Sequence, residues 1–403
     1  RWLSDWSSDV CSSDLVVRGR APSDARRPAA VLSPYFPYPL SHGGAVRIWN
    51  LLREISGEFD VHLFAFTDCE PECGPPAEFC ASLTLVEKPR YRQPRWSTLA
   101  PPEVHEFESP AMRRALARFR AAHPGAPVQV EYTHLAPYGG DVLVEHDVTF
   151  DLFGQVWRAR RTLSSWWDFF RWRRFERRAV RRFRRVVVMS AKDRALLARG
   201  EVIGNGVDLG RYLPEPETPG ERLLFIGSFR HFPNVEAYRF FVGRVWPLLR
   251  ERFPGMVLTV VAGPDYLVSW RAFAGALAPP EDPAIRMLGF VPDVRPLYVE
   301  ANLVVVPTTV SAGTNVKVLE AMAMERAVVS TPSGCAGLGL EHGRTVWVAA
   351  APAEFAEGIA RLIGDPAARR ALAREARRYA ERNFGWDALG EAQRRLLRSL
   401  SAD

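Results

Sequence analysis

The chain has 403 residues, 47% hydrophobic and 25% charged, with 53 Lys and Arg against 46 Asp and Glu for a formal net charge of +7. That length supports two domains with full cores, the composition is that of an ordinary globular protein, and five irregularly spaced cysteines exclude a disulfide framework. The positive surplus, nearly all arginine, points to an anionic partner: a phosphorylated small molecule, an acidic membrane surface or nucleic acid.

Residues 1–15 carry Ser-Ser-Asp at 7–9 and again at 12–14, without helical or strand period and without the order of a signal peptide. They read as a non-native leader. No apolar run approaches the roughly 20 residues of a spanning helix, so the expected location is cytoplasmic. Cys69, Cys73 and Cys80 cluster, but no second Cys/His cluster completes a zinc site; they read as loop thiols in a reducing compartment.

A strand is expected over 29–33, then a proline- and tyrosine-rich loop over 34–40, and His42-Gly43-Gly44 leading into a helix over 45–56. Strand, glycine-bearing loop and helix is how a Rossmann-like domain begins. Gly43 and Gly44 let the backbone approach a ligand with a helix N-terminus behind them, or else simply make a tight turn. Arg47, one turn in, extends an anion site or is solvated. Strands follow at 60–67 and 83–86. Residues 90–110 have no period and read as a surface loop or flap of the kind that shapes an acceptor site. A helix over 111–122 leads to strands at 128–132 and 141–145, the second ending in His146-Asp147. Polar residues at the carboxyl end of a strand face the usual ligand crevice. His146 and His134 are therefore ligand contacts or structural hydrogen-bonders.

Residues 155–185 mix Trp157, Trp166, Trp167, Phe169, Phe170 and Trp172 with more than ten arginines on one expected amphipathic helix. That suits an anionic membrane interface, or less well nucleic acid; the plainer alternative is a solvated helix whose aromatics turn inward. A strand at 186–189 and a helix at 191–199 follow. The Asn205-Gly206 turn and the proline- and glutamate-rich run 213–221 mark a linker between two domains.

The alternation then restarts. Strands are expected at 222–226, 256–262 and 284–288, with helices over 235–253 and 297–301. Leu303–Val306 reads as a strand buried on both faces, 315–324 as a helix and 327–330 as a strand, a βαβ crossover. Lys317 and Glu320, three apart, share a helix face near its N-terminus: an anion site followed by a carboxylate able to accept two ribose hydroxyls, or a surface ion pair. A last strand is expected at 345–349, helices over 353–383, and a terminal amphipathic helix from Trp386.

Several motifs in this order and spacing resemble the family-four glycosyltransferases. They are His42-Gly43-Gly44, Ile203-Gly204-Asn205-Gly206-Val207-Asp208, Gly227-Ser228-Phe229 with Pro233-Asn234, Leu288-Gly289-Phe290-Val291, and Lys317-Val-Leu-Glu-Ala-Met-Ala with Val328-Val329. The likeness runs from about Ala29 onward, and the Gly313-to-Met324 wording is most similar to transferases of bacterial exopolysaccharide and other envelope glycans. The resemblance implies an α/β chain of two facing Rossmann-like domains, the B-type architecture. A first domain at 16–212 would take the acceptor, a linker would span 213–221, and a donor domain would span 222–385. A C-terminal helix over 386–403 would cross back to the first domain. It implies a nucleotide-diphosphate sugar donor, a glycan or lipid-linked acceptor, retention of configuration, and no metal or other cofactor. In that reading Glu320 takes the ribose and Lys317 and Arg230 the diphosphate. Gly313, Thr314 and Asn315 supply loop contacts, Phe290 and Val291 border the base, Gly43 and Gly44 approach from the other domain, and His146 lies beside the transferred sugar. The expected setting is cytoplasmic, peripheral at the inner membrane face through 155–185, with nucleic acid disfavoured.

The sequence departs from the family pattern at Ala312, where a glutamate eight residues before Glu320 is usual, and at the loop after 226, where Arg230 stands as the nearby cation. A catalytically silent sugar-nucleotide-binding partner, and a sugar-nucleotide epimerase of the same fold, are the alternatives.

Overall fold

The computed structural model describes residues 14–40, 42–68, 73–89, 98–275, 278–310 and 314–401. Strands β1 (Asp14–Arg18), β2 (Arg27–Ser33), β3 (Phe59–Thr67), β4 (Ser82–Glu87), β5 (Val128–Glu131), β6 (Val142–Glu145), β7 (Arg185–Val188) and β8 (Glu201–Val202) form one sheet in the order β1-β4-β3-β2-β5-β6-β7-β8. All its pairings are parallel except β1 on β4. The second sheet is wholly parallel, in the order β11-β10-β9-β12-β13-β14. It holds β9 (Arg222–Ile226), β10 (Val257–Val261), β11 (Ile285–Leu288), β12 (Leu303–Val306), β13 (Ala327–Ser330) and β14 (Trp347–Val348). Helices cover both faces of each sheet, as parallel strands require. Val304 and Val306 bury in one core cluster and Leu303 and Val305 in the other, so β12 is apolar on both faces.

Four local readings change. The leader expected over 1–15 extends into a strand: β1 begins at Asp14, where it pairs with Val86. The stretch 155–185 is two helices, Thr149–Arg160 and Leu163–Arg182. Arg161 takes a left-handed turn (φ 50°), and Thr162 and Ser165 form a reciprocal capping box that starts the second helix. The helix expected over 235–253 begins at Phe232 and widens at Phe241–Val245 before Trp246–Arg252. Pro247 lacks the N–H that would bond back to the Gly243 carbonyl, and the ladder relaxes around that gap. The loop expected over 90–110 contains a short helix, Pro102–His105, while 90–97, Cys69, Ala312 and Gly313 lie outside the described residues.

After the second sheet, the helix Trp386–Ser401 returns to the first. Leu396, Leu397 and Leu400 bury in the core beneath β2, β3 and β6. Arg394 bonds the Glu54 carbonyl at 2.7 Å, and Arg398 pairs with Glu58 at 2.6 Å. Gly206 lies against Trp386, where an added Cβ would come within 2.7 Å of the indole, so glycine permits the chain to pass there.

Candidate functional site

The two sheets present the carboxyl ends of their strands to a common cleft, and the domains touch across it. A Cβ on Gly43, at the start of the Gly43–Ile55 helix, would lie 3.1 Å from Val316 Cγ2, at the start of the Val316–Ala323 helix. Asn205 Nδ2 donates to Thr314 Oγ1 at 2.8 Å, and the Arg160 guanidinium lies 5.6 Å from the Phe232 ring centre. Between the helix N-termini is a cavity of about 170 Å³ lined by Gly43, Gly44, Tyr132, His146, Asp147, Asn205, His231, Asn234, Thr308, Thr314 and Asn315, among others.

On the first-domain wall, Tyr35 and Tyr132 share a hydrogen bond of 2.8 Å between hydroxyls. A Cβ on Gly44 would sit 2.2 Å from one hydroxyl and 2.3 Å from the other, so only glycine admits this pair. Tyr132, at φ 67°, stacks flat on His146 with ring centres 3.8 Å apart. His146 Nε2 meets Glu131 Oε2 at 2.6 Å. Burial lowers the pKa of His146, and the Glu131 hydrogen bond opposes that shift. The imidazole is therefore neutral at pH 7 with its Nε2–H given to Glu131, and Nδ1 is left as a lone-pair acceptor. Asp147 is pushed up to about 6 by burial, with Asp193 adding to the effect. Arg47 is not solvated: it is 1% exposed and donates to the Gly204 carbonyl, while its Nε and Nη2 have no partner. Burial lowers it to about 10, which leaves it charged at neutral pH. His134 stays out of the cavity, stacked between Phe107 and Tyr132, and burial lowers it to about 3.

On the second-domain wall, Lys317 and Glu320 do not pair with each other. Lys317 Nζ donates to Asn234 Oδ1 at 2.9 Å and lies 5.7 Å from the Phe225 ring centre. Burial lowers its pKa to about 8, against the pull of Glu320. Each oxygen of Glu320 accepts one phenol: Tyr212 at 3.0 Å and Tyr298 at 2.9 Å. Burial raises the Glu320 pKa, while the two phenols act the other way. A carboxylate has about four acceptor positions, so two are left over on Glu320, although neither Glu320 nor Lys317 is itself on the cavity lining.

The structure thus gathers Gly43, Gly44, His146, Thr314 and Asn315 on one cavity, with Lys317 reaching it through Asn234. Arg230 lies outside the lining, exposed and paired with Asp265 at 3.0 Å. Phe290 is 57% exposed, and Val291 packs half-buried against the second core; neither lines the cavity. The sequence reading missed Tyr132 and Thr308, and saw Asn205, Asn234 and Asp147 only as motif letters or strand ends. Asn205 Oδ1 and Thr308 Oγ1 are buried without a partner on this lining, so both are ready for ligand hydroxyls. Among the described residues, no group of three or more His, Cys, Asp or Glu side chains is placed to hold a metal ion, and no helix is long and apolar enough to cross a membrane.

The Leu163–Arg182 helix divides its aromatics. Trp172, Ala179 and Val180 bury, and Arg171 turns inward onto Asp168 at 2.9 Å. Leu163, Trp166 and Phe170 are exposed at 82%, 42% and 38%, on the stripe that continues through Arg173, Arg177 and Arg181.

Residues 220–365 match the family model described as "Glycosyl transferases group 1". No curated protein matches the chain. Among solved structures, the sucrose-phosphate synthase of Thermosynechococcus elongatus superposes with a TM-score of 0.72 at 18% identity, covering 94% of this chain and 100% of that one. Anabaena HepE in complex with UDP-glucose gives 0.65 at 14% identity (92% and 99% covered). WaaG, a glycosyltransferase involved in lipopolysaccharide biosynthesis, gives 0.64 at 17% identity (91% and 99%). At these identities the superpositions establish the two-domain fold.

Proposed function

We infer the reaction from the premise that this chain is a glycosyltransferase of the B-type fold, with a group 1 second domain. The reading is transfer of a sugar from a nucleotide-diphosphate sugar to a glycan or lipid-linked acceptor, with retained configuration and no metal, in exopolysaccharide or envelope-glycan synthesis. The observation that carries the donor assignment is the separation of Lys317 from Glu320. The carboxylate is held by Tyr212 and Tyr298 with acceptor positions to spare, and the half-buried ammonium, one residue into the Val316–Ala323 helix, is held by Asn234. A ribose diol suits the first, and a diphosphate suits the second. HepE, a structural neighbour, binds UDP-glucose, which supports the same donor class here.

The departing nucleotide diphosphate is stabilised by Lys317 and the two helix N-termini, groups fixed before the reaction begins. His146 Nδ1, Asn205 Oδ1 and Thr308 Oγ1 offer acceptors to sugar hydroxyls. The exposed Leu163-Trp166-Phe170 stripe, leading into Arg173, Arg177 and Arg181, supports docking on an anionic membrane that carries the acceptor. The test of the donor site is Glu320→Ala, in which nucleotide-diphosphate-sugar binding should weaken at least about tenfold and transfer should fall with it. Unchanged affinity and turnover would sink the ribose assignment. Binding without any turnover by the parent protein would instead mark a silent donor-binding partner.

A further inference from the structure

Strand β5 reads Val-Gln-Val-Glu, and its two polar side chains lie on a buried face. Gln129 and Glu131 are each 2% exposed, and the same face carries Val142 and Val144 of β6 together with Leu396 and Leu397 of the C-terminal helix. His146 continues the Val142, Val144 row, which sets it beside Glu131. The second Glu131 oxygen accepts from Gln129 Nε2 at 2.5 Å, and Gln129 Oε1 accepts from Gln393 Nε2 at 2.5 Å. Gln393 is fully buried in the Trp386–Ser401 helix.

The polarity of this chain of bonds is fixed from the histidine end. A carboxylate only accepts, so Gln129 must turn its NH2 to Glu131 and its oxygen to Gln393, which must then donate. Gln393 Oε1 is left buried without a partner. A leucine there would continue the apolar packing of Leu396, Leu397 and Leu400 and leave no orphan on the helix. The amide leaves one buried oxygen without a partner, and its bond to Gln129 serves the chain that ends on the imidazole. We propose that Gln393 is a positioning residue: through Gln129 and Glu131 it fixes the ring plane and tautomer of His146, holding Nδ1 as an acceptor in the cleft. The proposal rests on His146 being the group beside the transferred sugar.

Besides Glu131, the groups facing His146 are Arg47, whose charge opposes its protonation, His42 and His134, each coupled to it by like-charge repulsion, and the stacked Tyr132. None of these belongs to the C-terminal helix, so an uncharged replacement at Gln393 reaches the imidazole only through the two bonded side chains.

The experiment follows the imidazole nitrogens of His146 by NMR across pH in the full chain, assigned with His146→Gln, together with the pH profile of sugar transfer. Gln393→Leu withdraws the donor from Gln129 Oε1 without adding a charge, so that amide turns away and Glu131, losing its donor, holds the imidazole proton more tightly. The His146 titration should move up by at least about half a pH unit, and the acid limb of kcat should move with it. The same residue changed to Asn is a methylene too short to reach Gln129; it should move the titration the same way and lower kcat about tenfold, with donor KM held within about twofold. Two folded variants with parental nitrogen shifts and parental pH profile overturn the proposal. A shifted His146 titration, combined with full activity in His146→Gln, supports the relay and removes the sugar-contact reading on which it was built.

Discussion

Lys317 is the residue whose chemistry is most open to a direct measurement. Burial holds its ammonium at about 8, below the ordinary 10.5. A diphosphate beside it stabilises the charged form and raises that value, so binding takes up a proton wherever the free protein has lost it. The affinity for a nucleoside diphosphate should therefore be flat below about pH 8 and fall above it, approaching tenfold per pH unit. Calorimetry in buffers of different ionisation heat reads the proton uptake directly. Lys317→Met should weaken binding and abolish this slope; an unchanged slope would assign it to another group. The sign for stability is separate. Between about 8 and 10.5 the unfolded chain binds the proton that the folded chain has released, so this group makes the fold more stable as pH rises through that window. At Glu320 the two phenols are the support, and Tyr298→Phe removes one of them, along with the same hydroxyl's 3.2 Å contact to the Lys317 carbonyl, while leaving the ring packed. Donor affinity should drop by roughly tenfold or more, the worth of about 1.5 kcal/mol or more of hydrogen bond to a charged group.

At the scale of elements, the two glycines that open the Gly43–Ile55 helix have different roles. Gly44→Ala drives a Cβ into the bonded tyrosine hydroxyls, and should cost about 1–3 kcal/mol of stability and displace Tyr132 from His146. Gly43→Ala meets only Val316 of the other domain at 3.1 Å, so thermal midpoint should hold while transfer slows. Chemical denaturation and steady-state rates of the two variants separate these effects. On the Leu163–Arg182 helix, changing Arg173, Arg177 and Arg181 to Ala should lower binding to anionic liposomes and leave turnover of a soluble acceptor intact. Equal liposome binding by that variant removes the membrane surface from the proposal. Elements whose pattern is local were legible in the sequence: the apolar runs of β12 and β13 and the glycine-led helix at 43 announce themselves within a few residues. The polar half of the cleft was not. Val-Gln-Val-Glu alternates as a half-exposed strand does, and only the packed structure, with Val128 and Val130 in one core and Gln129 meeting the C-terminal helix on the other side, reveals that both faces are covered. Tyr132, Asn205, Thr308 and Gln393 likewise acquire a role from neighbours up to 264 positions away, a distance over which periodicity carries no information.

For the whole molecule, the first domain is built from two separated stretches of chain. Deleting residues 386–403 removes Leu396, Leu397 and Leu400 from its core. At about 1.5–3 kcal/mol each, that is up to roughly 5–9 kcal/mol, comparable to the entire stability of a typical domain. The shortened protein should be insoluble or unfolded in its first domain, while a fragment over 222–385 retains a sheet and a core of its own. Limited proteolysis of the truncated chain should accordingly leave the second sheet intact. The crossing helix also reverses the expected calendar of synthesis. A ribosome delivers β1 to β8 first, yet the buried face under β2 and β6 stays open until the Trp386–Ser401 helix arrives, after β9 to β14 and the Pro366–Asn383 helix that completes their cores. In the nascent chain the domain made second is the first to close, and it waits, already packed, for its elder to finish.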